Sequence, residues 1–572
     1  MTTHAAVLAA LLGLALGTAA CSGPPTSESS VGQPSPEQTS AAPSPRPPST
    51  TPAAPADRTG MAGLQDPGSR PLGWGPQQQD ADAASQALAG MGLEQQAGQV
   101  LLPFYTGLDH ETRAADIERL HLAGSIIMGD NVPRTPGGQV DTGAMSAVTL
   151  RLQSAATADG RSWPGMIAVD QEGGAVARLR APLTEWPAPM SYGAAGSGPL
   201  ATEAGQALAS ELSALGFNAD FAPTADVTMG PSDPTIGARS MSGSAGAAAD
   251  LGVAFSRGMQ AAGMLPAAKH FPGHGSVSVD SHLGLPVQPA SLDQLRAKDL
   301  LPFQAAVNAG LPMVMTGHIV VPALEPEVPA SVSKAAYAEL RGMGFRGVAV
   351  TDALNMEALK DRFPHGSAAP AALAAGADLL LMPADVGAAH AAIVSSVRSG
   401  ALAPERLAEA AQRVVTMMIW RGRTGAPEGS QPGSGADISR KISAAAITVL
   451  AGPCSGPMVP PSVRVTGGTD QDRARFAAAA RDVGISIGEG PLVSLIGHRR
   501  PALDPAAPVA DVVVTLDAPW ALADSAAPAK IALYGRSPGA FEALAAVLAG
   551  KAAAPGKLPV AVGAQNPGSG CG

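Results

Sequence analysis

The sequence predicts an α/β protein, a (β/α)8 TIM barrel followed by a smaller α/β domain. Three observations carry this expectation. From about residue 80, eight short apolar runs alternate with Ala-rich helical stretches. Polar clusters stand at the ends of successive runs, where a barrel gathers its loops around one pocket. No Gly-x-Gly-x-x-Gly follows the first run, which counts against a dinucleotide-binding sheet.

Taken in chain order, Ala5 to Ala20 is a short apolar run placed where a signal peptide sits, so residues 1–20 are expected to be a signal segment. The small residues Thr18-Ala19-Ala20 before Cys21 resemble a bacterial lipobox, which makes Cys21 the expected lipid anchor. The protein is then exported and held at the membrane, facing the cell wall. Residues 21–79 are dominated by Ser, Thr, Pro, Ala and Gly. They bury too little apolar surface to offset chain entropy and are expected to form a disordered tether.

The barrel is expected over residues 80–425. Its strands should be Gly98–Phe104, Ala123–Met128, Gly165–Val169, Ala219–Ala222, Leu265–Ala268, Pro312–Thr316, Gly347–Thr351 and Ala377–Met382. Pro199–Leu215 and Ala245–Gly263 read as helices. Pro199 suits an opening position, where its missing N–H costs nothing. A linker is expected over 426–438, rich in Gly, Ser and Pro. Residues 439–572 alternate apolar runs (Ala446–Ala451, Ser462–Thr466, Val512–Leu516, Ile531–Tyr534) with Ala-rich helices and suggest an open-sheet α/β domain. Cys454 and Cys571 could pair there or remain free thiols.

The formal net charge of the 572-residue chain is −10 and no Lys/Arg cluster occurs, so nothing points to a nucleic-acid partner. The chemistry gathers elsewhere. Asp170-Gln171-Glu172-Gly173-Gly174 follows the third run and Asp226 the fourth. The fifth runs into Lys269-His270-Phe271-Pro272-Gly273-His274-Gly275, with Asp280-Ser281-His282 close behind. Thr316-Gly317-His318 ends the sixth and Thr351-Asp352 the seventh. Alone, Asp226 reads as a turn cap and His318 as a satisfied core histidine. Five clusters in register with five strand ends are harder to explain that way.

Three kinds of chemistry fit these groups. In retaining glycoside hydrolysis one group attacks the anomeric carbon and another protonates the leaving oxygen. Asp352 could attack, and His282, oriented by Asp280, could give and take the proton, since histidine titrates near neutrality. A metal hydrolase could use His270, His274, Asp280, His282 and Asp170. Pro272 and Gly273, however, keep His270 and His274 off adjacent turns of one helix. A non-catalytic glycan-binding lipoprotein could use the same pocket.

The strings Ala168–Gly174, Phe221–Val227, Ile236–Ser240, Lys269–His282 and Val350–Met356 resemble glycoside hydrolase family 3 in its β-N-acetylglucosaminidase branch. The resemblance covers residues 85 to 425 well and the C-terminal part more loosely. It implies a TIM barrel and a C-terminal α/β sandwich domain. It also implies Asp352 as nucleophile and Asp280 with His282 as the acid/base dyad. Asp170, Arg178, Arg239, Lys269 and His270 match residues that grip N-acetylglucosamine. His274 is expected to hold its loop, and Glu172 to brace the Gly-Gly turn. Two positions depart from the family pattern, Ala175 for an arginine and Ala238 for an acidic residue. The implied activity is retaining removal of terminal N-acetylglucosamine from cell-wall fragments, with no cofactor. Transfer to phosphate is the alternative outcome, and a monomer is expected.

Overall fold

The computed structural model describes residues 67–571, apart from 361, 364–365 and 498–508. The expected signal segment, Cys21 and the tether up to residue 66 lie outside the described residues.

Eight parallel strands build the barrel: β1 Leu101–Leu102, β2 Gly124–Ile127, β3 Met166–Val169, β4 Ala219–Asp220, β5 Leu265–Phe271, β6 Met313–Thr316, β7 Val348–Thr351 and β8 Leu380–Leu381. β2 to β7 pair in sequence order as one parallel sheet, and β1 pairs with β8. Two links close the ring. The Val350–Leu379 bridge joins β7 to the chain entering β8, and the Ile126 N–H donates to the Pro103 carbonyl at 3.1 Å. All eight expected runs coincide with a strand, and the fifth strand runs on through Lys269 and His270 to Phe271, past the expected end at Ala268. The first is shorter than expected because a helix, Leu93–Gln99, takes its opening residues. The Gln95 side chain caps the Gly92 N–H and starts that helix.

The strands are buried on both faces, which is why they read as near-continuous apolar runs with no alternation. Leu101, Ile126, Ile167, Val314 and Val350 are fully buried in one core with the inward faces of the helices. Each contributes roughly 1.5–3 kcal/mol by leaving water. The helix Gly198–Ala214 is capped by Ser197, whose side chain accepts from the Leu200 N–H at 3.3 Å, and Pro199 stands in its first turn. The helix Ala245–Ala261 ends two residues before the expected Gly263.

Two expected boundaries move. The tether was expected to run to residue 79, yet residues 67–77 are folded. Trp74 is buried, the Leu72 N–H bonds the Pro76 carbonyl, and Asp80 in the first helix (Gln78–Ala89) pairs with Arg423 at 2.7 Å. The buried Trp74, and Trp420 of the long helix Pro404–Thr424 lying over Gly75, outweigh the Pro/Gly composition around them. The linker expected over 426–438 is shorter, since a helix starts at Ala436. Its residues lie on the barrel: the Ser430 N–H reaches the Ser210 carbonyl at 3.2 Å and the Gly435 N–H reaches Glu211 at 2.8 Å.

The second domain is a five-stranded sheet of β9 Thr448–Ala451, β10 Ser462–Gly467, β11 Ser486–Ile496, β12 Val512–Thr515 and β13 Ala529–Ala532, in the order β9–β13–β12–β11–β10. Only β9 runs antiparallel. Four strands overlap the expected runs, with β13 set two residues earlier than Ile531–Tyr534. β11 does not, because its exposed first half carries Gly488, Gly490 and Pro491, residues that punctuate strands, and its register with β10 shifts there. Cys454 and Cys571 are disulfide-bonded, so the pairing reading holds over the free thiols. The domain docks beside the third and fourth barrel loops. The Ala188 N–H donates to the Tyr534 carbonyl at 2.8 Å and Met190, Ala238, Leu522 and Val560 share one apolar cluster.

Candidate active site

A strand places alternate side chains on one side, so two acids spaced two apart on an extended segment point the same way. Asp170 and Glu172 do this directly after β3. The chain then reverses at Gly173 and Gly174, both at positive φ, and a Cβ on either would come within 3 Å of Pro187 or Ala188. Lys269, at the end of β5, lies between the two acids. Its Nζ is 2.8 Å from Asp170 and 2.7 Å from Glu172. Arg239 grips Glu172 through two hydrogen bonds of 2.8 Å, and the Thr224 hydroxyl donates to the same carboxylate at 3.1 Å. Arg178 reaches Asp170 at 3.3 Å.

Burial would raise both carboxyl pKa values, and the cations outweigh it. Arg239 and Lys269 hold Glu172 well below the usual carboxylate range, while Lys269 and Arg178 lower Asp170. Lys269 is likewise pushed down by burial but raised on balance by its two acids. The network is therefore fully ionised. The Glu172 side chain has no exposure and that of Lys269 has 3%, whereas Asp170, Arg178 and Arg239 keep some surface for a ligand. Two of the three ammonium donors of Lys269 are spent on protein, which leaves one. Glu172 does more than brace a turn: it fixes both Arg239 and Lys269.

Asp226, after β4, is fully buried and organises the histidines. It accepts from His270 Nδ1 at 2.8 Å, from the His270 N–H at 3.1 Å and from the His274 N–H at 2.6 Å. Burial raises its carboxyl, and His270 more than compensates. Nδ1 of His270 is thereby committed, leaving Nε2 for another partner. His274 bonds Ser281 at 2.8 Å, in line with its expected loop-holding role. Burial and the neighbouring His270 depress its pKa to about 4, so it is neutral. His318 is a satisfied core histidine, with Ser331 on Nδ1 at 2.7 Å and the Ala353 carbonyl on Nε2 at 2.9 Å. Nε2 must carry a proton to donate to that carbonyl, which fixes the tautomer of the neutral ring. Among the described residues no three His, Cys, Asp or Glu side chains form a metal-ligand cluster.

Asp352 follows β7 directly. Its own N–H donates to the Thr316 carbonyl at 2.9 Å, and its Oδ1 accepts the Ala353 N–H at 2.8 Å. Burial opposes ionisation here as well. His270, His318, that N–H and Lys269 prevail and hold the carboxyl at about 2. The result is a carboxylate ionised at neutral pH, at a strand end and adjoining a cationic network.

Asp280 and His282 stand on the loop after β5. Asp280 Oδ1 accepts from His282 Nδ1 at 2.7 Å and from the His282 N–H at 3.0 Å. The His282 side chain is 62% exposed. Both residues line a cleft of about 980 Å³ together with Arg239, between the barrel mouth and the second domain. Of the eight site residues expected within the described chain, Asp170, Arg178, Arg239, Lys269 and His270 surround the barrel mouth with Asp352. Asp280 and His282 form a separate pair at its lip.

The residues 92–417 match the description "Glycosyl hydrolase family 3 N terminal domain". Beta-hexosaminidase A of Pseudoalteromonas piscicida is 39% identical over 285 residues, covering 47% of this chain and 46% of that protein, so the match spans less than half of that relative's length. A beta-hexosaminidase of Stenotrophomonas maltophilia is 40% identical over 231 residues, covering 38% of this chain and 67% of its own. Among solved structures, a glycoside hydrolase family 3 β-N-acetylglucosaminidase from Paenibacillus sp. superposes with a TM-score of 0.74 at 29% identity, covering 82% of this chain and 99% of that one. With the family's domain matched over more than half of the chain and laid out as the barrel just described, the protein belongs to glycosyl hydrolase family 3.

Proposed function

We propose that the protein is a retaining β-N-acetylglucosaminidase that removes terminal N-acetylglucosamine from cell-wall fragments. The observation that carries this reading is the ionised Asp352 at the mouth of the barrel, with the hydrogen-bonded Asp280–His282 pair at the lip of the same opening. Its relatives named as β-hexosaminidases support the sugar specificity.

Asp352 attacks the anomeric carbon while His282 passes a proton to the departing glycosidic oxygen. A covalent glycosyl-enzyme forms and the aglycone leaves. The now basic His282 takes a proton from water, which attacks the same carbon and regenerates Asp352. Asp280 holds His282 by Nδ1, so that Nε2 carries the transferred proton. Asp170, Arg178, Arg239, Lys269 and His270 bind the sugar hydroxyls and the acetamido group. The rigid ion network keeps them in place at no cost during turnover. The export signal in residues 1–20 and a lipid on Cys21 place this activity at the cell surface.

Asp352→Ala tests the reading. Turnover of 4-nitrophenyl β-N-acetylglucosaminide should fall by about a thousandfold or more, the scale of removing a covalent nucleophile. Thermal unfolding should remain cooperative. A folded variant with near-normal turnover would remove Asp352 from its role.

A further inference from the structure

The loop after β5 is held differently at its root and at its tip. The root is pinned to the barrel. The Ser276 hydroxyl donates to Asp299 at 2.6 Å and accepts from Lys298 Nζ at 2.9 Å, and Val277 is buried beside it. The tip folds on itself. The Leu283 and Gly284 N–H groups both donate to the Asp280 carbonyl, at 2.9 and 3.0 Å, which makes Asp280 to Gly284 one turn around the Asp280–His282 pair. On this turn Val279 is 43% exposed and Leu283 82%. Ser281, between the two members of the pair, is 1% exposed. Its hydroxyl meets His274 Nε2 at 2.8 Å. Among the described residues, no other hydrogen bond leaves residues 279–284 for the rest of the protein.

A turn that is rigid inside and tied outward through one hydroxyl has its position, though not its shape, set by that tie. The other end of the tie is equally defined. Asp226 Oδ1 accepts the His274 N–H at 2.6 Å, while Oδ2 accepts from His270 Nδ1 at 2.8 Å. One buried carboxylate thus stands behind both the sugar-binding His270 and the contact that seats the turn. We infer that Ser281 is the positioning residue of the acid/base, seating the Asp280–His282 turn against His274 and so at a set distance from the bound sugar. A general acid works only within hydrogen-bond reach of the oxygen it protonates, and a misplacement of about 1 Å is felt in the rate. The inference rests on the proposed glycosidase reading. It adds a residue that touches neither the sugar nor the transferred proton.

The test is Ser281→Ala in the full chain, read as kcat/KM on two glycosides of N-acetylglucosamine. The phenyl glycoside departs poorly without a proton, and the 4-nitrophenyl glycoside departs readily. The phenyl value should fall about tenfold, the scale of one intramolecular hydrogen bond, and the 4-nitrophenyl value should hardly move. The unfolding temperature should not change, because the tip is exposed and the root has its own anchors. In His282→Ala, adding Ser281→Ala should change neither value further, since the serine acts only through the histidine. A loose structural effect would lower both substrates and would persist without His282. A Ser281→Ala protein that matches the unaltered chain on both substrates, loses equally on both, or keeps losing on the phenyl glycoside once His282 is gone would overturn the seating role alone. A His282→Ala protein with equal losses on the two glycosides would overturn the parent assignment of the acid/base, and the seating role with it.

Discussion

Asp220 is a carboxyl that the chemistry does not use. It ends β4 fully buried, with Oδ1 accepting the Gln171 N–H at 2.9 Å and Oδ2 unpartnered. Burial raises its pKa well above the ordinary carboxylate value. The folded state therefore keeps a proton that the unfolded state releases above about pH 4. The resulting linkage removes stability as pH rises from that value through the folded pKa. Asp220→Asn preserves the acceptor for Gln171 and cannot ionise. It should unfold at the same or a higher temperature near neutrality, with a flatter dependence on pH between 4 and 8. A variant less stable at every pH would mean that the acid itself is needed. His282→Ala should cost far more on alkyl glycosides than on activated aryl ones, which leave without a proton. Equal losses on both would argue against acid catalysis. Most of the site was legible residue by residue, because it sits in compact motifs at strand ends. Glu172 was visible too, two positions from Asp170 on the same side, but its two cationic partners come from other loops. Asp226 read as a turn cap because nothing local announces that two histidines 44 and 48 residues later will share it.

At the scale of elements, the barrel separates its chemistry from its support. The strand ends carry Asp170, Lys269 and Asp352, while the opposite rim is tied by Asp378, just before β8. That carboxylate is fully buried and accepts from Arg341 at 2.5 Å, Arg406 at 2.7 Å, Arg413 at 3.0 Å and the Ala349 N–H at 3.0 Å. It clamps three elements, the helices Lys334–Gly342 and Pro404–Thr424 and β7, to one point. Asp378→Ala strands partly buried guanidiniums and should cost about 3–5 kcal/mol in denaturant unfolding. KM of the folded fraction should not change, because the clamp lies at the far end from the site. A changed KM at full folding would contradict this division. Strand positions were legible because a strand buried on both faces needs an unbroken apolar run. β11 was not, because its exposed glycine-bearing half looks like a loop until β10 pairs with it.

Across the whole molecule, the two domains act as one body around one opening. The second domain is held by the shared apolar cluster around Tyr534 and Val560, by backbone bonds such as Lys557 N–H to the Ala194 carbonyl at 3.0 Å, and by Arg475 to Glu185. Within it, the Cys454–Cys571 bond ties a tail that carries the docking residues 557–562 to the loop after β9, across 117 residues. Closing so long a loop removes unfolded-state entropy worth about 4–5 kcal/mol. Cys571→Ser, or reduction of the intact protein, should lower the unfolding temperature and loosen the tail to proteolysis. An unchanged unfolding temperature on reduction would show that docking alone holds it. By itself the sequence determined the positions of the barrel strands, the succession of barrel and α/β domain, and the identity of the groups at each strand end, since burial pattern and turn chemistry are properties of short windows. Tertiary structure alone decided which of those groups meet. Lys269 finds Asp170 across 99 residues and Arg239 finds Glu172 across 67. Trp74 folds a stretch of tether-like composition onto the barrel, and a second domain walls the cleft beside His282. Such pairings depend on where the closed barrel returns the chain, and no local propensity encodes that.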